Sequence, residues 1–448
     1  NISAPMLHRL IHLVFKCAGE LSKKFAFTNL CPPTSAKLLA ALLLLIGLLG
    51  PSPARAQDQG QDEVKGMPAE PVEAQEIRNQ ISAVQKLESS LPDHGAALFF
   101  IAMAKIQLHE TRDALALLKQ CLILHEGFDP SSDPAFMGLK ESREFTTLIE
   151  NVRNDFPAIF QAREAFRTTE KDLIAEGLAY DAPRDIFYLS SLNRRKIVEV
   201  GRDAAVSDFV PEGRYDLLPV SGIRVDPNDD TVWADSFADN GQTELLHFDG
   251  AGKLLGRFKP ADSARHGFND LVIRKSGEVI TTDNLGNEVF RFDLVTKTFK
   301  ALPVHRPLFY PNGVALADDD LTLFIADSLG VVKLDLSTGK SRDVNPGPRT
   351  TLAGIDGLYW YKGSLIGIQN GIGSPRVAEF RLSNDGLRVT RTTVLENHTR
   401  FCALPTTGAI RGSDFFFIAN SQIDNLNDGK VMDVTRLEAT RVGVLRLP

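Results

Sequence analysis

The chain has 448 residues, a formal net charge of −7, 43% hydrophobic residues and 24% charged residues. That composition is ordinary for a folded globular protein, and the length calls for two or more structural units rather than one core. Residues 1–56 hold six Lys and Arg against one Glu, which takes the remainder from −7 to −12. An acidic remainder argues against a nucleic-acid partner, whose binding needs concentrated positive charge, and is compatible with cation binding.

Lys37 opens an apolar run, Leu38 to Leu49, that ends in Pro51, Pro53 and Ala54-Arg55-Ala56 before Gln57. A short apolar core, a basic flank and an Ala-x-Ala end describe a secretory signal better than a membrane anchor. Residues 1–56 are therefore expected to be a signal peptide with an upstream extension, and the mature protein to be periplasmic or secreted. No later apolar stretch is long enough to span a bilayer. Residues 57–75 are polar, acidic and Gln/Pro-rich, and read as a linker.

Over residues 76–165 the apolar period becomes helical. Ala96 to Leu108, a short turn, then Asp113 to Leu122 predict a helical hairpin, with Ala97, Ala104 and Ala114 permitting close approach. The segment resembles a tetratricopeptide repeat, with those alanines near its small-residue positions. One repeat is too few for a stable solenoid, so the module should lean on its neighbours, as a docking surface for a protein partner or as a packed cap. Of the four cysteines, Cys17 and Cys31 fall in the signal region. Cys121 and Cys402 lie in different units, and two buried free thiols are favoured over one disulfide. No CxxC pair supports a thiolate metal site.

From residue 171 to 448 a different period takes over. Glu176-Gly177, Ser221-Gly222, Asn269-Asp270, Asn312-Gly313, Asp356-Gly357 and Thr407-Gly408 follow one another at steps of 45, 48, 43, 44 and 51 residues. About fourteen residues after each leading residue comes a second polar pair: Ser190-Ser191, Asp235-Ser236, Asp283-Asn284, Asp327-Ser328, Gln369-Asn370 and Asn420-Ser421. The two phases are separated by a strand, a Gly-containing turn and a strand, as in Leu271-Val272-Ile273, Ser276-Gly277, Val279-Ile280-Thr281. Six such units predict a mainly β fold, a six-bladed propeller over 171–448, with both phases on one rim. Val442 to Leu447 should be a strand of the closing blade.

Glu176-Gly177-Leu178-Ala179-Tyr180-Asp181, Pro311-Asn312-Gly313-Val314-Ala315-Leu316 and Ile355-Asp356-Gly357-Leu358 resemble blade starts of the gluconolactonase, regucalcin (senescence marker protein) and luciferin-regenerating enzyme family. Phe324-Ile325-Ala326-Asp327-Ser328 resembles a later strand of the same family. The resemblance covers roughly residues 171–448. It implies a six-bladed propeller with one axial divalent cation, held by Glu176, Asn312 and Asp356, with Asn269 nearby. Two departures stand out: Gly267 is where the family often has a substrate-binding Arg, and Leu178 is where Pro is common. The blade pattern is also similar to strictosidine-synthase-like and NHL-type propellers.

The residues support a cation on their own terms. Glu176 and Asp356 supply two negative charges, and Asn269 and Asn312 neutral oxygens. An all-oxygen set suits calcium first, then magnesium or manganese, and zinc less. At any single position, the same residue types also fix tight turns through side-chain-to-backbone bonds. Two function classes follow. One is a metal-dependent hydrolase of a lactone or related ester, with Asp356 as general base and Asn269 and Asp283 as substrate contacts. The other is a non-catalytic propeller scaffold with a structural metal, binding a protein or a small ligand. No nucleophile elbow, Walker loop or dinucleotide fingerprint is present.

Overall fold

The computed structural model describes residues 72–427 and 429–448. The expected signal peptide and almost all of the expected linker lie outside the described residues. Six four-stranded antiparallel sheets follow in sequence as the blades of a propeller. Blades 1 to 5 each run outward from an inner strand: Ala175–Asp181, Val220–Val225, Phe268–Ile273, Val314–Leu316 and Ile355–Tyr361. Blade 6 is composite. Its inner strands are Gly408–Arg411 and Asp414–Ile418, its third is Arg441–Arg446, and its outermost is Arg163–Arg167 from before blade 1. The expected terminal strand is therefore present, and it closes the ring by pairing with Arg163–Arg167, the first strand among the described residues.

Close approach between inner strands accounts for the glycine of the repeated pair. A Cβ at Gly177 would sit 2.3 Å from the Ser221 carbonyl oxygen of the next blade, and one at Gly313 would sit 2.2 Å from that of Asp356. Hydroxyls stitch the same level together. Ser190 donates to the Ser221 carbonyl at 2.5 Å, Ser221 to Phe268 at 3.0 Å, Thr282 to Asn312 at 2.7 Å and Thr407 to Glu176 at 2.5 Å. Apolar residues alternating along the strands fill the spaces between blades, with Trp233, Phe248, Phe292, Phe380 and Phe417 fully buried.

Before the ring come α1 (Val72–Glu88), α2 (His94–Gln107), α3 (Thr111–Ile123) and α4 (Arg143–Asp155). Asp93 caps α2, its carboxylate accepting from Ala96 N at 3.0 Å. Ala97, Ala104 and Ala114 are all buried. The helices share their core with the propeller: Phe309 and Leu329 join α1 and α2 residues, and Ala353 and Ile372 join residues of α2, α3 and α4. Asp93 also accepts from Thr351 Oγ1 at 2.7 Å and Leu352 N at 3.2 Å. These propeller residues lie in loops leading into inner strands or out of second strands, so the helices cover the rim of blades 4 and 5 on which both polar phases open. Cys121 and Cys402 are buried free thiols. Among the described residues, no helix is long and apolar enough to cross a membrane.

Candidate functional site

The leading residues stand where their strands leave regular pairing. In blades 1, 2, 3 and 5 the register slips at Ala175/Leu178, Val220/Ile223, Phe268/Leu271 and Ile355/Leu358, so each leading pair forms a bulge. A bulge re-aims side chains, which is why such irregularities cluster at sites. A second device marks three blades only. Two residues before Glu176, Asn312 and Asp356 the backbone is left-handed, at Ile174 (φ 45°), Tyr310 (φ 53°) and Gly354 (φ 59°). Only the glycine adopts that conformation without strain.

Glu176, Asn312, Asp356 and Asn269 are all buried. Asp356 Oδ2 accepts from Asn370 Nδ2 at 2.5 Å, while Asp356 Oδ1 has no partner among the described residues. Asn312 Oδ1 is likewise buried without a partner. Burial pushes the Asp356 carboxyl up to about 7; the Asn370 bond opposes this, Asp270 adds to it, and Asn312 opposes it again. Glu176 is held well above the usual carboxylate range, by burial first and then by the charges of Asp356 and Asp270. Its Oε2 accepts from Ser421 Oγ at 3.4 Å. The structure thus brings Glu176, Asn312 and Asp356 into one electrostatic group, with Asn269 at the equivalent point of blade 3.

Asp283 is engaged elsewhere. Its oxygens accept from Gly267 N at 2.7 Å and Gly286 N at 2.9 Å and meet His266 Nδ1 at 2.5 Å, so it braces the loop before Asn269. Three participants escape a reading of the leading residues alone. Asn370 looks like turn chemistry but holds Asp356. Asp270 takes the place of the repeat glycine in blade 3 and pairs with Arg224 at 2.8 Å. Tyr310, half-buried, has its phenol raised above its ordinary value by burial and then by Asp356 and Glu176. Further along the inner strands a cavity of about 330 Å³ is lined by residues of all six blades, among them Leu178, Arg224, Val272, Val314, Leu358 and Gly408.

The donor chemistry fits a hard dication. Two carboxylates disfavour each other's ionisation, and two carboxamide and carboxylate oxygens are buried without donors, which is costly unless a cation completes them. Among the described residues no group of three or more His, Cys, Asp or Glu is arranged for a metal; this set has two carboxylates and depends on asparagine oxygens.

No family model and no curated protein matches the chain. Among solved structures it is similar to virginiamycin B lyase from Staphylococcus aureus, at 14% identity over 64% of this chain and 99% of that one, with a TM-score of 0.46. It is similar to a gluconolactonase from Xanthomonas campestris at 16% identity over 65% and 98%, with a TM-score of 0.45. It is similar to the PQQ-bound aldose sugar dehydrogenase from Streptomyces coelicolor at 13% identity over 64% and 98%, with a TM-score of 0.46. These similarities assign no activity to the chain.

Proposed function

We propose that the chain is an exported, cation-dependent hydrolase of a lactone or related small ester. The observation that carries this is the pair of buried oxygens without donors, Asn312 Oδ1 and Asp356 Oδ1, in one group with Glu176. Glu176, Asn312 and Asp356 would hold the cation, calcium first, with Asn269 as a fourth ligand or a substrate contact. When bound, the cation would supply Lewis acidity toward a carbonyl and offset the two carboxylates. Asp356 takes a proton from the attacking water as the new C–O bond forms at the carbonyl carbon. It returns that proton to the ring oxygen as the ester C–O bond breaks. Asp283 acts through the Gly267 loop that it braces.

A second reading, a scaffold with a structural cation and a tetratricopeptide-like docking module, is favoured by the helices packed on the same rim. Melting temperature against free calcium, with hydrolysis of γ- and δ-aldonolactones, separates the two. Cation stabilisation with turnover supports the hydrolase. Cation stabilisation with no turnover leaves the scaffold. If calcium, magnesium, manganese and zinc all leave the melting temperature unchanged, the polar groups are turn chemistry and both metal readings fall.

A further inference from the structure

Tyr310 is a bulky residue with φ 53°, placed directly before Pro311. Left-handed backbone costs such a residue about 1–3 kcal/mol, and a following proline restricts it further. The kink itself needs no side chain, because Gly354 makes it at the same position of blade 5. In blade 1 the strained residue is Ile174, whose side chain fills an apolar cluster with Leu192 and Leu426. Tyr310 belongs to none of the apolar clusters among the described residues. It stands instead in the field of Asp356, Glu176 and Asp239.

Its placement is braced from behind. Tyr310 N donates to Asn287 Oδ1 at 2.8 Å. The neighbouring Phe309 is pinned at both backbone groups, its N–H on Asp327 Oδ2 at 3.0 Å and its carbonyl receiving Ser328 N at 2.8 Å. Arg306 fixes Asp327 in turn at 2.6 Å. The Phe309 ring turns away from the axis onto Phe100 of α2, centroid to centroid 5.9 Å, within a cluster that includes Ile77, Ile81 and Val84 of α1. One dipeptide therefore has its first ring in the helical core, while its second residue makes the left-handed step two positions before Asn312.

The chemistry of the group gives that second residue a task. With a cation bound, Glu176 and Asp356 would be ionised and, with Asn312 Oδ1, would offer acceptors only, while the ester group of a lactone also presents two acceptor oxygens and no donor. We infer that Tyr310 contacts the bound substrate, its hydroxyl donating to a lactone oxygen, and that the helices hold it in place through Phe100 and Phe309. The helical segment is then part of the substrate site rather than a separate module. This rests on the reading of the axial group as a lactone-hydrolysing centre.

The test uses the full chain in calcium with γ- and δ-aldonolactones. Tyr310→Phe should leave the calcium-induced rise in melting temperature unchanged and lower kcat/KM about tenfold or more, as loss of a buried donor to a reacting oxygen does. Phe100→Ala should raise KM with Tyr310 intact, and Phe100→Leu should restore most of it. KM does not depend on the fraction of enzyme folded, so a purely structural role for Phe100 would not move it. An active wild type with Tyr310→Phe within about twofold of it in kcat/KM would overturn the Tyr310 role alone. A wild type that hydrolyses none of the lactones would overturn the reading of the site and this role with it.

Discussion

Removing the charge of Asp356 should stabilise the metal-free protein while abolishing its response to calcium. The folded carboxyl titrates at about 7 against an ordinary 3.8, because burial disfavours its charge. A raised carboxyl pKa means that the folded state binds more protons, so its stabilising effect is complete below 3.8 and is lost as the pH rises through 7. At about 1.36 kcal/mol per unit of pKa, the cost of the charge grows from roughly 2 kcal/mol at pH 5 to roughly 4 kcal/mol at pH 8. Asp356→Asn escapes that cost and can still accept from Asn370, with loss of charge-assisted bonding offsetting about 1 kcal/mol. Urea unfolding in chelator should therefore find the variant more stable than wild type at pH 8, with the gap shrinking by about 2–3 kcal/mol at pH 5. Added calcium should raise the wild-type midpoint, by about 2.7 kcal/mol at a hundredfold excess over Kd, and leave the variant unmoved. A metal-free Asp356→Asn protein less stable than wild type at pH 8 would refute the claim that the hydrogen bonds to this carboxylate fail to offset the cost of burying its charge.

Three further outcomes are expected. Deleting residues 442–448 should prevent a cooperative thermal transition in calorimetry, because it exposes sheet edges on both sides and removes the buried Val442, Val444, Leu445 and Leu447. An unchanged transition would count against closure by this strand. His266 is pushed up to about 9, chiefly by its bond to Asp283 and further by Asp262, against burial. Its contribution is complete below its ordinary value of 6.5 and is lost as the pH rises through 9, so the stability gap between wild type and His266→Asn should close between pH 7 and pH 10. Protein recovered from the native cell envelope should begin near Gln57 on N-terminal sequencing, and intact residues 1–56 there would rule out cleavage.

The propeller was legible because its geometry constrains composition. Inner strands approach so closely that Gly177, Gly222, Gly313 and Gly357 each lack room for a Cβ, and a polar residue before each glycine produces the visible repeat. Blade 3 breaks the rule with Asp270, whose carboxylate turns onto Arg224. The outermost strand of blade 6 was not legible: Arg163-Glu164-Ala165-Phe166-Arg167 buries only Phe166, so it carries almost no strand pattern and reads as the tail of the helical segment. Tyr310 was hidden for the opposite reason. A tyrosine before proline is expected in extended backbone, and nothing in the local sequence announces a positive φ. Asp283 shares its spacing with its equivalents in other blades, and spacing alone does not distinguish a brace for a loop from a group facing a ligand.

Ring closure by a strand that precedes blade 1 has a consequence for synthesis. Arg163–Arg167 leaves the ribosome roughly 270 residues before Arg441–Arg446, its only partner in blade 6. At about 5–20 residues per second, that interval is roughly 14–55 s. Throughout it the strand is an unpaired edge, the kind of template on which nascent chains stick to one another. Its sequence suits the delay: Arg163, Glu164 and Arg167 are exposed even after closure, leaving only Phe166 and the small, partly buried Ala165 to shield. The weak pattern that conceals this strand from a reader of the sequence would conceal it equally from other chains on the same polysome.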